Sequence, residues 1–509
     1  MQLPVQIKSA LISVYYKDNL DILVKKLNDL GVTIYSTGGT RTFIEEMGVP
    51  VKAVEDLTEY PSILGGRVKT LHPKVFGGIL ARREEEEHLQ QLAKYDIPTL
   101  DLVIVDLYPF EETLKKSDDE GEIIEKIDIG GVSLIRAAAK NFRDVMIIAS
   151  KDDYDDCLEI LTEQKGVTEL GQRKYFAKKA FEITSDYDNA IYSYFNHDEN
   201  FGVRFSPKVP MRYGENPHQQ AAFYGKLTEV FDKLHGKEIS YNNLVDIESC
   251  IYLMEEFDEA KKRGLSTFAI IKHTNACGLA TAANLEQAWD MALEADPVSA
   301  FGGVLICNSK VDLNTAYKIN QLFFEVLIAP DFEPEALVVL QTKKNRILLL
   351  QKIFSFPAQQ FKSMLNGILV QDRNKRVTEE LQYVTEIKPD AQQIIDLLFA
   401  EKAVKHLKSN GIALVKNNQL IGCGTGQTSR VDSLNQAIAK AKNFGFDVKG
   451  AVMASEAFFP FPDCVQIAHE AGITAVIQPG GSIRDQDSID YCNANGLAMV
   501  LNGLRHFKH

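Results

Sequence analysis

The sequence predicts an α/β protein with more than one domain. Short apolar runs of strand character alternate with segments of helical periodicity, first up to about residue 195 and again beyond residue 210. Glycine turns join strands to the helices that follow, which is typical of βαβ units. A chain of 509 residues is also too long for one hydrophobic core. We therefore expect a mostly parallel sheet covered by helices, followed by further α/β units.

Composition excludes several classes of protein. The net charge of -14 and the pI near 5.3 argue against general binding to nucleic acid, which needs clustered Lys and Arg. The amino-terminal stretch MQLPVQIKSALISVYY has no signal-peptide pattern, and no run reaches the roughly 18 apolar residues of a membrane helix. We expect a cytoplasmic protein that binds neither nucleic acid nor membranes.

The sequence carries no familiar metal or nucleotide signature. Its seven cysteines are scattered without CxxC spacing, which fits reduced thiols and neither a disulfide framework nor a zinc site. The patterns GxxxxGK[ST], HExxH and HxE with PCxxC are missing. We therefore expect no catalytic metal, and chemistry that depends on side chains and a cosubstrate.

The elements divide the chain into a first domain at 1–198, a linker at 199–210 and a remainder at 211–509. Strands of the first domain are predicted at 10–14, 32–36, 101–107 and 145–149, with helices at 20–30 and 40–47. The linker lies in the polar stretch NHDENFGVRFSPKVP. Beyond it, strands are predicted at 268–273, 301–307, 412–418, 450–455, 474–482 and 497–503, with helices at 285–293 and 434–442. Between about 310 and 400 the strand signals are weak, so we expect a helical insertion there.

Two stretches of the first domain combine glycine with groups that bind anions. STGGT (36–40) offers backbone N–H groups at a helix start, although such a turn is often only a tight turn. GGRVKTLHPKVFGG (65–78) places several cations between two glycine pairs, a pattern that packing alone explains poorly.

Proton-transfer groups occur nearby in the same domain. Tyr108 follows a strand in VDLYPF, and Asp128 precedes a Gly-Gly helix start with Lys140 twelve residues on. Asp128 has the alternative interpretation of a helix cap. Together an acid, a tyrosine and lysines in a glycine-lined pocket would suffice for proton transfers around a carbonyl.

The strand at 268–271 ends on two cationic side chains, Lys272 and His273. A solvated strand end is one interpretation; the other is a site at the carboxyl end of a strand, where α/β proteins bind ligands. The other polar stretches of this half are RYGENPHQ (212–219), EISYNNLVDIES (238–249), GTGQTSR (424–430) and ASEAFFPFPD (454–463). Each is also explained by turn chemistry, but the Phe-rich loop would make a wall for a flat heteroaromatic ring.

Taken together, these motifs resemble the bifunctional family that joins phosphoribosylaminoimidazolecarboxamide (AICAR) formyltransferase to IMP cyclohydrolase. The resemblance covers nearly the whole chain and rests on STGGT, GGRVKTLHP, LYPF, IDIGG with RAAAKN, RYGENPHQ, SYNNL, KHTNACG, DPVSAFGG, GQTSR, AFFPF and LRHF. It implies a methylglyoxal-synthase-like cyclohydrolase domain, then two cytidine-deaminase-like α/β units without zinc. It also implies a homodimer that shares its transformylase sites.

The resemblance implies two successive reactions. The formyl group of the cosubstrate 10-formyltetrahydrofolate passes to the 5-amino group of AICAR, and the product FAICAR then closes to IMP with loss of water. In the transfer, His273 would be the base, with Lys272 and Asn275 assisting; a structural monovalent cation is a further implied component. The implied substrate contacts of this half are Arg212, Tyr213, Asn243, Lys343, Asn410, Gln427, Ser429, Arg430, Phe458, Phe459, Asp463 and Arg505.

For the cyclohydrolase the resemblance implies a phosphate site and a proton-transfer group. The phosphate site would consist of Ser13, Thr37, Gly38, Gly39, Arg67 and Thr70, and the proton-transfer group of Lys69, Tyr108, Asp128 and Lys140. Some positions depart from the family pattern: Asp106 stands for Asn, Val132 for Pro, Ala276 for Pro, Glu456 for Asp and Pro462 for Arg. At Asp106 a carboxylate would reverse the hydrogen-bond pattern of an amide that contacts substrate.

Two other functions stay open on the sequence. The first domain could be a sensor that binds a nucleotide or phosphate without chemistry, although Lys69, Asp128 and Lys140 together favour an enzyme. The second half could deaminate a nucleobase, in which case a tightly held zinc is expected.

Overall fold

The computed structural model describes residues 4–196, 205 and 207–509. The chain divides into two compact units, Met1–Arg204 and Phe205–His509. Most of the predicted linker at 199–210 lies outside the described residues, and its last three residues belong to a strand, Lys208–Met211.

The first unit is built around a parallel sheet. Its strands are β1 Val5–Gln6, β2 Ser9–Ser13, β3 Thr33–Ser36, β4 Lys52–Ala53, β5 Leu102–Val105, β6 Met146–Ile148 and β7 Val167–Thr168. β1 pairs with β7 alone, and the other five form one sheet in the order β4-β3-β2-β5-β6, with every pairing parallel. The prediction of a parallel amino-terminal sheet is confirmed.

Helices cover this sheet and place their amino termini at its loops. They are α1 Leu20–Asp29, α2 Gly38–Glu46, α3 Val54–Thr58, α4 Pro73–Leu80, α5 Glu86–Lys94, α6 Phe110–Leu114, α7 Glu120–Ile124, α8 Gly130–Lys140, α9 Tyr154–Glu163 and α10 Leu170–Phe195. The chain runs outward from β2 through β3 to β4, then returns to β5 on the other side of β2. This reversal of strand order opens a crevice at the carboxyl ends of β2 and β5.

The second unit contains the larger sheet. Its strands are β8 Lys208–Met211, β9 Ala221–Tyr224, β10 Phe231–His235, β11 Ser266–Lys272, β12 Asn275–Ala282, β13 Val304–Cys307, β14 Val326–Ala329, β15 Ile347–Gln351, β16 Gln359–Met364, β17 Gly367–Asp372, β18 Gln382–Tyr383, β19 Ile412–Lys416, β20 Gln419–Gly424, β21 Val452–Ser455, β22 Ala475–Gln478 and β23 Ala498–Leu501. Twelve of them form one sheet in the order β10-β15-β14-β13-β11-β12-β20-β19-β21-β22-β23-β18. The pairs β8 with β9 and β16 with β17 form two separate hairpins.

The helices of the second unit lie between these strands along the chain. They are α11 Tyr241–Glu255, α12 Asp258–Lys262, α13 Leu285–Ala295, α14 Pro297–Ala300, α15 Leu313–Ile319, α16 Pro334–Leu340, α17 Ala391–Lys405, α18 Arg430–Asn443, α19 Asp463–Glu470 and α20 Asp485–Asn495. The helices described in the two units are too short or too polar to traverse a lipid bilayer.

The large sheet is an internal duplication. In each half an antiparallel hairpin, β11–β12 or β19–β20, leads into three parallel strands, β13–β15 or β21–β23. The halves meet where β12 runs antiparallel to β20. Both hairpins pack a glycine against the next helix: a Cβ on Gly278 would lie 2.1 Å from the Ala292 carbonyl oxygen, and one on Gly422 would lie 2.3 Å from that of Ala437.

The helical insertion predicted between about 310 and 400 is wrong. This segment holds β14 to β18, the short helices α15 and α16 and, from Ala391, the start of α17. β14 and β15 are four and five residues long, and polar or charged loops interrupt the strand pattern around them. β14 pairs with β13 and β15, and β15 also pairs with β10, so neighbouring strands stabilise these two short strands.

Candidate active sites in the two units

Asp106 organises the loop at the crevice of the first unit. It follows β5, and its two carboxylate oxygens accept hydrogen bonds from the backbone N–H groups of Tyr15 and Tyr16, the latter at 3.0 Å. Burial raises the pKa of Asp106, while these two bonds and the nearby Lys17 oppose the rise. In an Asn here an NH2 donor would replace one of these two oxygens and face a backbone N–H, so both bonds could not form in this arrangement. The Asp at position 106, where the family pattern has Asn, therefore holds this loop in place, because its carboxylate oxygens accept from the loop backbone.

Lys69 lies at the amino terminus of α2. Gly38 starts this helix with φ 53, and a Cβ on it would lie 2.8 Å from Lys69 Nζ. Thr40 fixes the same helix start to the end of β2, since its hydroxyl accepts from the Val14 N–H at 3.1 Å. An ammonium group and the positive end of a helix dipole at one place favour a bound anion.

Thr70 and Asp128 lie at the amino terminus of α8. A Cβ on Gly130 would be 3.0 Å from Thr70 Oγ1, and Asp128 Oδ1 accepts from the Gly131 N–H at 2.6 Å. Asp128 therefore does act as a helix cap, as one interpretation of the sequence held. Because Lys69 and Thr70 are consecutive, the same loop contacts the starts of α2 and α8, and the two helix termini face one cleft.

Tyr108 completes the arrangement beside Asp128. Burial raises the pKa of the Asp128 carboxyl, against the bond from Gly131. Burial, followed by the charge on Asp128, raises the pKa of Tyr108. The Tyr108 ring packs edge-on against Tyr15, with 5.8 Å between ring centroids. The cleft thus holds a carboxyl group and a phenol that remains protonated near neutral pH.

Other residues predicted for this site lie farther away or already contact another side chain. Lys140 ends α8, so it is about 15 Å along the helix axis from Gly130; the predicted grouping with Asp128 is absent within one copy of the chain. Arg67 is exposed and forms an ion pair with Glu125. Thr37 is buried, with its hydroxyl 3.3 Å from Glu55 Oε1. Ser13 ends β2, and Gly39 lies in the first turn of α2.

In the second unit, one edge of the large sheet collects most of the predicted residues. The pairings place the carboxyl ends of β11, β20, β21 and β23 at the same edge as the amino ends of β15 and β19. Residues at or beyond these strand ends are Lys272, His273, Asn275, Lys343, Asn410, Gln427, Ser429, Arg430, Phe458, Asp463 and Arg505. Positions far apart in sequence therefore converge at the junction of the two halves.

His273 occupies an exposed two-residue turn between β11 and β12. Lys272 Nζ donates to the Phe301 carbonyl at 2.8 Å. Asn275 Nδ2 donates to the His273 carbonyl at 2.8 Å, and its Oδ1 accepts from Thr425 Oγ1 at 2.9 Å. Asn275 thus connects the turn that carries His273 to the second half of the duplicated sheet.

Arg430 is the centre of a buried polar cluster at this edge. Its guanidinium donates to Glu456 Oε2 at 2.5 Å, to Ser455 Oγ at 2.9 Å and to Asn410 Oδ1 at 2.8 Å. Asn410 Nδ2 donates to the Gln427 carbonyl at 3.0 Å. Arg430 and Asn410 therefore hydrogen-bond to other groups of the protein, and these bonds hold the loops at this edge of the sheet together. Glu456 Oε1 is buried without a hydrogen-bond partner.

Three further predicted contacts have structural roles. Asn243 is buried and forms a capping box with Ser240 at the start of α11. Ser429 is the N-cap of α18. Phe459 is fully buried in the core, whereas Phe458 is 37% exposed. Of the two rings, only Phe458 is accessible to a ligand.

The remaining predicted residues are near the edge and exposed or partly exposed. The Arg212 guanidinium lies 5.4 Å from the Tyr213 ring centroid, and Arg505 lies 4.6 Å from that of Phe507. The loop that carries Arg212 is fastened to the start of α11, because Asn242 Nδ2 donates to the Glu215 carbonyl at 3.2 Å. Asp463 begins α19.

Asp246 is a residue of this site that sequence reasoning missed. Its Oδ1 accepts from the Thr274 N–H at 2.7 Å, next to His273. The available signal was a repeat: an Asp stands six positions after the N-cap of both α11 and α17, at Asp246 and Asp396. The residues around these two positions differ, so the repeat is visible only once the halves are superposed by topology.

The described residues contain no group of three or more His, Cys, Asp or Glu side chains that could hold a metal ion. All seven cysteines are free and buried. Both clefts instead combine cationic side chains with groups able to move a proton, which is the pattern of an enzyme with two sites for anionic small molecules.

Comparisons with known proteins identify the family. The model of the AICARFT/IMPCHase bienzyme matches residues 138–440, more than half of the chain, and that of the MGS-like domain matches residues 19–133. The bifunctional purine biosynthesis protein PurH of Bacteroides thetaiotaomicron is 56% identical over 99% of both chains. That of Aquifex aeolicus is 48% identical over 98% of this chain and 100% of its own. The chain belongs to the AICARFT/IMPCHase bienzyme family, and its first unit carries an MGS-like domain.

The crystal structure of ForH is also similar in sequence, with 37% identity over 37% of this chain and 99% of that chain. Its TM-score is 0.34.

Proposed function

We propose that the two clefts carry out successive steps of one conversion. The chain is a bifunctional enzyme of purine biosynthesis, an AICAR formyltransferase and IMP cyclohydrolase. We assign formyl transfer to the sheet edge at His273 and ring closure to the cleft at Lys69 and Asp128. The observation that supports this division most strongly is the exposed His273 beside Lys272, because formyl transfer to a weakly nucleophilic amine needs a positioned base.

In formyl transfer, the 5-amino nitrogen of AICAR attacks the formyl carbon of 10-formyltetrahydrofolate while His273 removes a proton from that nitrogen. The new C–N bond forms, the bond from the formyl carbon to N10 breaks, and N10 leaves with a proton. Lys272 has three N–H donors, of which the Phe301 carbonyl uses one. Another is available to stabilise the oxyanion of the tetrahedral intermediate.

In ring closure, the carboxamide nitrogen of FAICAR attacks the formyl carbon of the same molecule, and the resulting hydroxyl leaves as water. Because the reaction is intramolecular, the protein has to restrain the substrate and assist proton movement. We assign the substrate phosphate to Lys69, Thr70 and the start of α2. Asp128 and Tyr108 are assigned to the reacting end, with Tyr108 as a donor. Lys140 and Arg67 have no assigned role in ring closure.

The family implies a folate cosubstrate. We propose that this cosubstrate is 10-formyltetrahydrofolate and that it binds near Phe458 and Asp463. A monovalent cation fits one observation: the buried Glu456 Oε1 lacks a hydrogen-bond partner. A cation there would satisfy the carboxylate and support the Arg430 cluster. We further propose that the halves of the large sheet are cytidine-deaminase-like units, since both repeat a hairpin followed by three parallel strands.

We also propose a cytoplasmic homodimer that shares its transformylase sites. The hairpin of β16 and β17 supports this proposal, because it exposes several large apolar side chains. These are Phe361, Met364, Leu365, Ile368, Leu369 and Val370. Apolar surface of this extent is typical of a protein interface.

The function is tested by incubating the protein with AICAR and 10-formyltetrahydrofolate while following tetrahydrofolate and IMP together. We expect both products, with FAICAR as the intermediate. Tetrahydrofolate without IMP would contradict the cyclohydrolase and leave the first unit as a binding module. Loss of ammonia from a nucleobase, together with a stoichiometric zinc, would instead indicate a deaminase.

A further inference from the structure

The turn that carries His273 has a strained backbone. His273 and Thr274 both have positive φ, 52 and 64, in a two-residue connection between β11 and β12. This conformation suits Asn, Asp and Gly, but it is unfavourable for a β-branched residue such as Thr. Strain of this kind persists only where surrounding contacts enforce it, and it concentrates at functional sites.

Asp246 on α11 supplies such a contact. Its Oδ1 accepts from the Thr274 N–H at 2.7 Å, and its carboxylate also interacts with the His273 backbone N–H. Asp246 is half-buried, whereas the His273 side chain is exposed. The carboxylate therefore holds the backbone on one side of the turn and leaves the imidazole open on the other.

The second half of the sheet contains the same device without the histidine. Its turn between β19 and β20 consists of Asn417 and Asn418, with φ 54 and 59. The Asp396 carboxylate accepts from both N–H groups, at 2.9 and 2.7 Å. This turn needs less enforcement, because Asn tolerates the left-handed region. Because β19 runs antiparallel to β11, the turn that follows β19 lies at the opposite edge of the sheet from His273.

We infer that Asp246 is a positioning residue for formyl transfer: it fixes the His273–Thr274 turn and thereby orients the imidazole of His273. The inference rests on the proposed role of His273 as the base. Asp396, in the matching position, has only a structural task. Asp396 is therefore an internal control for Asp246, because it holds a turn of the same type that carries no histidine.

The test compares Asp246→Asn with Asp396→Asn in the full-length protein. Asn replaces one carboxylate oxygen with an NH2 donor and removes the negative charge, so in both variants the hydrogen bonds that hold the turn are weakened. For Asp246→Asn we expect kcat of formyl transfer to fall about tenfold or more, with the AICAR KM within about threefold. For Asp396→Asn we expect kcat within about twofold of the parent, and a Tm lowered to a similar extent as in Asp246→Asn.

A second substitution separates positioning from general stability. Thr274→Asn gives the first turn the residue type found in the second, so it should relieve the strain that Asp246 opposes. We expect Asp246→Asn to reduce kcat much less when Thr274→Asn is also present. If Asp246→Asn does not fold, Asp246→Glu takes its place, because the longer side chain retains the charge but shifts both acceptor oxygens.

Two outcomes would overturn the inference: an unchanged kcat in Asp246→Asn, or equal losses of kcat in Asp246→Asn and Asp396→Asn without rescue by Thr274→Asn. Failure of the proposed function is distinguishable, since the parent protein would then release no tetrahydrofolate from AICAR and 10-formyltetrahydrofolate. Conversion of FAICAR to IMP by the first unit is measured in every variant and should stay unchanged.

Discussion

Asp128 combines two tasks at a single residue. It caps α8 through the Gly131 N–H, and its carboxyl pKa is raised by burial above the ordinary value of 3.8. A cap that is also held in a partly apolar cleft can exchange a proton nearer to neutral pH than an exposed aspartate can.

This assignment predicts the pH dependence of ring closure. If the carboxylate is the active form, the rate falls as the pH drops through the raised pKa, so the acid limb lies above pH 3.8. In Asp128→Asn that limb should disappear and the plateau should be lower. Asp119→Asn is the matched control, because Asp119 caps α7 through the Glu122 N–H and lies on the surface. An acid limb that stays in place in Asp128→Asn contradicts the assignment.

Local sequence patterns suggested some of the candidate site residues. Lys272 and His273 were predicted because an apolar strand ends in two cations; His273 is exposed in the structure, and the role of both residues stays a prediction. Asn410 and Arg430 were expected to contact substrate, but both hydrogen-bond within a buried cluster. The sequence pattern does not distinguish these cases, because a partner such as Glu456 becomes a neighbour only in the folded chain.

Among the elements, the amino terminus of α2 is the clearest candidate for binding phosphate. Its first residue, Gly38, has both a positive φ and Lys69 Nζ where a Cβ would lie. Gly38→Ala should displace the ammonium group and weaken FAICAR binding, with a rise in KM of about tenfold. It should also lower the free energy of unfolding by about 1 kcal/mol.

Gly48→Ala is the control for backbone strain. Gly48 also has positive φ, but no atom lies within 4 Å of an added Cβ. It should lower stability to a similar degree and leave the FAICAR KM unchanged. Equal KM values in the two variants would remove the α2 terminus from the phosphate site.

The hairpin of β16 and β17 predicts a change in assembly. Leu369 is 59% exposed on this hairpin, and Leu369→Glu places a charge in the apolar surface. We expect the variant to shift from dimer to monomer in analytical ultracentrifugation, with loss of formyl transfer if the sites are shared. Val338→Glu is the control, because Val338 is 69% exposed on α16. A parent protein that is already monomeric would contradict the proposed dimer.

Strands and helices with a clear period were predicted close to their true bounds, as the strand at 412–418 and β19 illustrate. The error between 310 and 400 has a physical cause. β14 and β15 each lie between two neighbouring strands of the large sheet, and such tertiary support leaves little trace in a short segment.

At the scale of the whole molecule, duplication explains how the sheet edge at His273 forms. The antiparallel junction of β12 and β20 places the turn of the first hairpin beside the carboxyl end of β20, where Asn275 accepts a hydrogen bond from Thr425. The family resemblance implied two like units, but the residue pattern alone did not show the duplication, because the two halves share topology and a few key positions while most side chains differ. The division into two sites predicts that each step can be removed without the other.

The most direct test measures both half-reactions in His273→Ala and Lys69→Ala. His273→Ala should lower tetrahydrofolate release at least about a hundredfold, with the AICAR KM within several-fold, and should still convert FAICAR to IMP. Lys69→Ala should release tetrahydrofolate and accumulate FAICAR. A mixture of the two variants should then produce IMP from AICAR, since FAICAR reaches the intact cyclohydrolase through solution. Full tetrahydrofolate release by His273→Ala, or the loss of both half-reactions in either variant, would contradict the account.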